Sequence, residues 1–154
     1  YTLLGYSFIA IGKFKEANET FEKCMDLEGD DEEDTLGGYG LSLFYTENYE
    51  KSAMIYEKAY DKTKNQFYLF GQAKSLVLMK EYTNSRRLFS TLSTTMDNPE
   101  IPFWIGAASA YLKEKEYALT ELNKAVKTNH RYVNYAKAII DALTNDTSLP
   151  EIKP

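Results

Sequence analysis

Side chains that could carry out chemistry are few in this chain, and their spacing forms no recognisable active site. His130 is the single histidine and Cys24 the single cysteine, so no histidine cluster or cysteine pair is present to hold zinc. A nucleophile activated by a histidine would have to use His130, which stands between two predicted helices and is interpreted as a helix-start residue. Cys24 is predicted to be a small buried apolar residue rather than a reactive thiol.

Two further segments have the composition of a ligand loop without its pattern. Residues 28–34 (EGDDEED) are strongly acidic, but Thr35 and Leu41 stand where an EF-hand loop needs its glycine and its terminal glutamate. We therefore interpret this run as a solvated loop in which Asp34 and Thr35 cap the next helix. Residues 37–40 (GGYG) lack the lysine, the hydroxyl and the preceding strand of a P-loop. We predict no catalytic residue, no metal and no cofactor, and hence no enzyme.

The elements that would position a site recur along the chain. Residues 39–59 predict a short helix from Tyr39 to Tyr45, a turn, and a second helix from Tyr49 to Ala59. A helix pair that recurs at a fixed spacing along the chain marks a stacked repeat architecture. The recurring columns, at spacings of 35, 33 and 35 residues, are a bulky opening residue (Tyr1, Leu36, Leu69, Trp104), a small residue (Gly5, Gly40, Ala73, Ala108), a large apolar residue (Phe8, Leu43, Leu76, Tyr111) and a turn aromatic (Phe14, Tyr49, Tyr82, Tyr117).

This pattern resembles the tetratricopeptide repeat family, whose unit of about 34 residues carries W-x2-L-G-x2-Y, A-x3-F and P. The first repeat shows it best, with Leu4-Gly5, Phe8, Ala17 and Phe21 in place. The resemblance implies an all-α, right-handed solenoid of about four helix-turn-helix units and a C-terminal capping helix. The expected bounds are 1–33, 34–65, 66–98 and 99–129 for the units and 131–145 for the capping helix, within a single domain 1–145, followed by a flexible tail 146–154.

Glycines inside the predicted helices point to close helix packing. A glycine in mid-helix costs roughly 1 kcal/mol relative to alanine, so Gly5 and Gly40 are expected where paired helices touch. The fourth repeat departs from the pattern, because Lys124 and Lys127 occupy its large and small columns. The last helix pair is therefore predicted to pack at a different angle.

In the family that the chain resembles, the first helix of each pair lines a concave groove. Mapped column by column, this groove is predicted to be apolar and aromatic, although any one of its residues could instead fill a gap between helices. The predicted partner-binding residues are Tyr6, Ile9, Leu41, Phe44, Tyr45, Phe70, Lys74, Val77 and Leu112.

The same resemblance excludes one kind of ligand. Some family members grip the acidic C-terminal tails of chaperones with lysine, asparagine and arginine along the groove. The matching positions here are Thr2, Tyr6, Gly38, Phe67 and Gly71. None of these side chains can hold a carboxylate as that clamp does, so we predict no binding of such tails.

Charge and hydropathy narrow the partners further. The net charge of −5 argues against nucleic acid and anionic membranes, and the apolar runs are too short for direct membrane insertion. Compartment stays open: the sequence favours a soluble, cytoplasmic protein, and a targeting signal removed with missing residues would leave no trace.

Three functions are compatible with these observations. The first is a protein-interaction module or scaffold that binds a peptide or partner protein in the groove. The second is a chaperone for a secreted protein, similar to those of type III secretion, although these usually have three repeats. The third is a structural segment of a longer or self-assembling solenoid, with homo-oligomers formed through an uncapped N-terminal edge that contains Leu3 and Phe8.

Overall fold

The computed structural model describes residues 1–28 and 32–154, and over these ranges it contains nine α-helices and no strand. The helices are α1 (Thr2–Ala10), α2 (Phe14–Glu28), α3 (Glu33–Tyr45), α4 (Tyr49–Thr63), α5 (Gln66–Leu78), α6 (Tyr82–Leu92), α7 (Ile101–Tyr111), α8 (Lys115–Ala125) and α9 (Val133–Thr144). They group into two compact units, unit 1 (Tyr1–Ser75 with Pro154) and unit 2 (Leu76–Lys153). The predicted all-α class is confirmed. Within the described ranges, no helix is both long and apolar enough to span a bilayer.

The turns inside the helix pairs correct the predicted repeat spacing. Each turn has one residue in the left-handed region: Gly12, Glu47, Lys80 and Lys113. These positions are 35, 33 and 33 residues apart, so the last predicted spacing of 35 is wrong by two. With the corrected spacing, Leu122 falls in the large column and Lys124 lies exposed. Because the repeat columns now align in the fourth repeat, Lys124 and Lys127 no longer imply a different packing angle for the last helix pair.

Aromatic rings of the second helices pack against glycines of the first helices. A Cβ atom built on Gly5 would lie 2.5 Å from Cζ of Phe21, and one built on Gly38 would lie 2.3 Å from the same atom. One repeat later, the Tyr56 ring packs in the same way between Gly40 and Gly71. The predicted contact at Gly5 and Gly40 is therefore confirmed. The structure adds that each ring also touches the first helix of the next repeat.

Helix α3 begins earlier than the sequence predicted. It starts at Glu33 rather than near Tyr39, and its N-cap position is Glu32, which makes no side-chain capping bond. Asp34 and Thr35, predicted as caps, lie inside the helix. Thr35 is buried, with its Oγ1 2.9 Å from the Oγ1 of Thr2. Residues 29–31 of the predicted acidic loop lie outside the described residues.

Cys24 lies in the core of unit 1, as predicted. Its side chain is fully buried in α2. Its Sγ lies 3.5 Å from Thr2 Oγ1 and 3.8 Å from Thr35 Oγ1. The thiol therefore belongs to a small buried polar cluster that joins α1, α2 and α3.

Unit 2 has an aromatic centre and a packed C-terminal segment. The Phe103 ring stacks on Tyr132 with centroids 4.8 Å apart, which holds the start of α9 against α7. The segment expected to be a flexible tail instead contacts this unit. Pro150 O accepts a hydrogen bond from the Tyr111 hydroxyl, and Ile152 is buried. Apolar burial thus continues past the capping helix, almost to the last residue.

Candidate functional site

The first helices of the pairs place the predicted groove residues at different depths. Tyr6 is exposed, whereas Ile9, Leu41, Tyr45 and Lys74 are partly exposed. The three residues predicted for the groove that are instead buried are Phe44 (1% exposed), Phe70 (6%) and Val77 (2%). Because their side chains fill the interior, these three are corrected from surface to packing residues. In unit 2, Leu112 is partly exposed at the C-terminal end of α7.

Lys74 lies over two of the buried rings. Its Nζ is 5.0 Å from the ring centroid of Phe44 and 5.0 Å from that of Phe70, within the range of a cation–π interaction. Phe44 is held in turn by edge-on contacts with Tyr45 and Tyr49, at centroid distances of 5.6 and 5.8 Å. The two rings therefore form a floor, and the Lys74 side chain covers it. We call Leu41, Phe44, Tyr45, Phe70 and Lys74 the aromatic floor site.

The surface around the aromatic floor site carries little charge. Helix α1 has no charged residue, α3 has none after Asp34, and Lys74 is the single charged residue of α5. Leu41 is partly buried against the core cluster that contains Leu36 and Tyr56. A ligand would therefore meet aliphatic and aromatic atoms with one ammonium group among them.

Tyr6 and Ile9 lie on α1 and pack against α2 and α3. The Tyr6 hydroxyl donates a hydrogen bond to Asp34 O at 2.7 Å, and its ring meets Phe21 edge-on at 5.6 Å. Burial and the nearby Asp34 carboxylate raise the pKa of Tyr6 above its ordinary value. Ile9 packs against the core cluster of Ala17 and Phe21.

The residues at the positions of the carboxylate clamp mostly pack against other parts of the chain. Thr2 is hydrogen-bonded to Thr35, and Gly38 and Gly71 lie directly against aromatic rings. Phe67 is exposed but carries no charge. These positions offer no cationic or amide donor, so the predicted failure to bind acidic tails stays a prediction with a structural reason behind it.

His130 joins α8 to α9. Its Nε2 donates to Ala125 O at 3.0 Å, and its Nδ1 accepts from the Tyr132 N–H at 3.2 Å. Since a carbonyl can only accept and an amide N–H can only donate, both bonds require the neutral tautomer that carries its proton on Nε2. Both nitrogens are thus engaged with the backbone beside the start of α9, the place where the sequence predicted a helix-start residue.

Clusters of metal-binding type are not formed by the residues that the structure describes. In residues 1–28 and 32–154, no three His, Cys, Asp or Glu side chains come together as a metal site requires. The aromatic floor site is the feature of unit 1 in which predicted partner-binding residues of two helices meet.

Comparisons with known proteins agree with this architecture. Residues 1–31 match the model of a tetratricopeptide repeat. Similar solved structures include MamA 41-end from Desulfovibrio magneticus RS-1, at 14% identity and a TM-score of 0.72 over 92% of this chain and 86% of that one. MamA MSR-1 C2 matches at 16% identity and a TM-score of 0.74, over 92% of this chain and 82% of that one. A tetratricopeptide repeat protein from Parabacteroides merdae ATCC 43184 matches at 17% identity and a TM-score of 0.69, over 92% of this chain and 58% of that one. Among curated proteins no sequence matches.

These findings define the class of protein. The helix pairs of the described residues, each with one left-handed residue in its turn, form an all-α solenoid fold similar to that of these solved structures. The predicted resemblance to the tetratricopeptide repeat family is confirmed, by sequence in residues 1–31 and by fold over the described chain. Stacked repeats of this kind create extended concave binding surfaces.

Proposed function

We propose that this chain is a protein-interaction module that binds a peptide or partner protein at the aromatic floor site of unit 1. The observation that carries the proposal is the Lys74 side chain lying over Phe44 and Phe70, between helices in which α3 has no charge after Asp34 and α5 has none besides Lys74. Leu41 and Tyr45 flank this position and are partly exposed. The site therefore offers an apolar contact with a single fixed ammonium group.

The physical basis of binding follows from this composition. Burial of apolar area yields roughly 25 cal/mol per Å² before the cost of association is subtracted. Affinity should therefore come from an aliphatic or aromatic anchor that covers Leu41 and Tyr45. The Lys74 ammonium can hydrogen-bond a peptide carbonyl and thereby orient the ligand, while a single charge gives only a weak dependence on salt.

Peptide selection tests this proposal directly. Random peptides displayed on phage would be selected against the chain, and the enriched peptides titrated by calorimetry against Leu41→Ser and Lys74→Ala variants. We expect each variant to weaken binding by about tenfold, the scale of a contact residue near the centre of an interface. Substitution of Phe44 is avoided, because this ring is buried and its loss would disturb the fold.

A matched control separates the site from general surface effects. Met54 lies on the second helix α4 and is 63% exposed, so Met54→Ser removes a similar apolar side chain elsewhere in the same unit. It should leave affinity unchanged. Equal binding by all three variants would contradict the proposal, as would failure to enrich any peptide or loss of all binding in moderate salt.

A further inference from the structure

Residues 147–153 (TSLPEIK) form no helix or strand, yet they pack against unit 2. Helix α9 ends at Thr144, and Asp146 then takes a left-handed conformation with a φ of 52°. Pro150 O accepts a hydrogen bond from the Tyr111 hydroxyl at the end of α7. We call residues 147–153 the strap. Since the strap has no secondary structure of its own, contacts with other elements of unit 2 hold it in place.

The side chains of the strap alternate between covered and exposed positions, as they do in an extended chain that lies on a surface. Pro150 is partly buried and Ile152 is buried, whereas Glu151 and Lys153 are exposed. A proline fixes its own φ and favours an extended conformation in the residue before it, here Leu149. The strap therefore lies on unit 2 in the way that an extended peptide ligand lies in a groove.

Tyr111, which donates the hydrogen bond to the strap, is part of a fixed aromatic stack. Its ring packs on Tyr82 of α6, with centroids 4.7 Å apart and an interplanar angle of 5°. Burial, Tyr82 and the Glu151 carboxylate raise the pKa of Tyr111 above its ordinary value. The stack therefore holds the hydroxyl in one position, and the strap lies close to it.

The α7 residues at this contact occupy the same repeat columns as the predicted groove residues of unit 1. Two spacings of 33 residues relate Tyr45 to Tyr111 and Leu41 to Ala107. Leu41 is partly exposed, whereas Ala107 is fully buried. Because alanine is the smaller residue, another part of the chain can approach α7 closely at this position. We call Ala107, Ala110 and Tyr111 the α7 surface.

We propose that the α7 surface is a second peptide-binding surface, that the strap occupies it as an intramolecular ligand, and that its external ligand is an extended segment with the Leu-Pro-x-Ile pattern of the strap. The buried Ile152 and the hydrogen bond from Tyr111 to Pro150 O anchor the strap. Because these anchors are local, a segment of the same chemistry can replace the strap without unfolding the helices. All the residues concerned belong to unit 2, so this proposal and that of the aromatic floor site can fail separately.

Competition between the strap and an added peptide tests the proposal. A bound strap lowers the apparent affinity for an external ligand, because the surface must first be vacated. A fluorescently labelled peptide of the strap sequence would be titrated by anisotropy against the full chain and its Ile152→Glu variant. A carboxylate is costly to bury, so this variant releases the strap. We expect it to bind the peptide at least about tenfold more tightly than the wild type does.

Matched variants locate the binding. Lys153→Glu introduces a glutamate at the exposed neighbour and should bind the peptide as weakly as the wild type does. A peptide with glutamate in place of its isoleucine should bind neither form. In the Ile152→Glu background, Tyr111→Phe should weaken peptide binding roughly threefold to tenfold, the scale of one hydrogen bond. Leu41→Ser, at the aromatic floor site, should leave it unchanged.

A measurement on the wild type keeps the test independent of how well Ile152→Glu folds. In isotope-labelled wild-type chain, about 5 mM unlabelled peptide, near the effective concentration of a tethered ligand, should move the Ile152 amide resonance toward its random-coil position. An Ile152 resonance that does not move would overturn the proposal. Equal affinity of the peptide for wild type and Ile152→Glu would do the same, as would its failure to bind any form, since the strap would then be an ordinary part of the fold.

Discussion

The ring of Phe21 occupies the space that a side chain on Gly38 would need, since a Cβ built on Gly38 would lie 2.3 Å from its Cζ. Helix propensity alone would make Gly38→Ala stabilising by roughly 1 kcal/mol. Phe21 is fully buried, however, so the ring has no free space to enter, and overpacking costs about 1–3 kcal/mol. We expect Gly38→Ala to lower the free energy of unfolding, measured by urea denaturation.

A double-mutant cycle isolates the cause. Phe21→Leu alone should destabilise the fold, because it leaves a gap beside Gly5. Combined with Gly38→Ala, its effect should be smaller than the sum of the two single effects, since the added methyl group then fills part of that gap. Additive effects, or a stabilised Gly38→Ala variant, would show that the close approach has no energetic consequence.

Glu22 links three helices of unit 1 and should make stability depend on pH. It accepts hydrogen bonds from Lys51 at 2.6 Å and from Tyr39 at 2.7 Å. These bonds lower the pKa of Glu22 below its ordinary value of 4.5. The unfolded chain therefore binds the proton more tightly, so the contribution of Glu22 is present above about pH 4.5 and is lost as pH falls through the folded-state pKa.

The Glu22→Gln variant measures this contribution. Because the pair is partly exposed, we expect a difference of at most about 1 kcal/mol at neutral pH. The difference between wild type and variant in urea unfolding should shrink between about pH 5 and pH 3 as the carboxylate is protonated. A difference that stays constant over this range would indicate that charge on Glu22 does not contribute.

His130 should stabilise unit 2 through its two backbone hydrogen bonds. His130→Ala removes the acceptor for the Tyr132 N–H and the donor to Ala125 O. We expect a loss of about 1–2 kcal/mol in the free energy of unfolding. His130→Asn retains a side-chain acceptor for the amide two residues on, and should recover part of this loss. Equal stability of the Ala and Asn variants would show that the hydrogen bond from the Tyr132 N–H to His130 does not contribute to stability.

The repeat architecture could be predicted because the same helix–helix contacts recur in successive repeats. The column of Gly5 and Gly40 is visible in the sequence, since the same ring-on-glycine contact requires the same residue types at the same spacing. The error in the fourth repeat arose where this signal weakens. Gly106 and Ala108 are both small, and the left-handed turn residue is Lys113, a residue type that gives no sign of a turn.

The depth of the groove residues could not be predicted in the same way. Phe44 and Phe70 occupy first-helix positions that sequence columns treat alike with Leu41. Their burial depends on which way each side chain points, and the Lys74 side chain then covers both rings. Such an arrangement joins α3 to α5 and leaves no periodic signal in either helix. The sequence alone therefore indicates the surface but not the buried rings beneath it.

The C-terminal segment should contribute to the stability of unit 2. Ile152 is buried, and Pro150 O accepts a hydrogen bond from the Tyr111 hydroxyl. Loss of buried methyl groups from an isoleucine costs about 2–5 kcal/mol in a rigid core, and we expect the lower end near a chain terminus. Ile152→Ala should lower the thermal midpoint, whereas Lys153→Ala, at an exposed neighbour, should leave it unchanged. Equal thermal midpoints for both variants would mean that the C-terminal segment does not pack on unit 2 in solution.

Hydrogen exchange at α7 would confirm the site of the effect, because protection near Tyr111 should fall in Ile152→Ala alone.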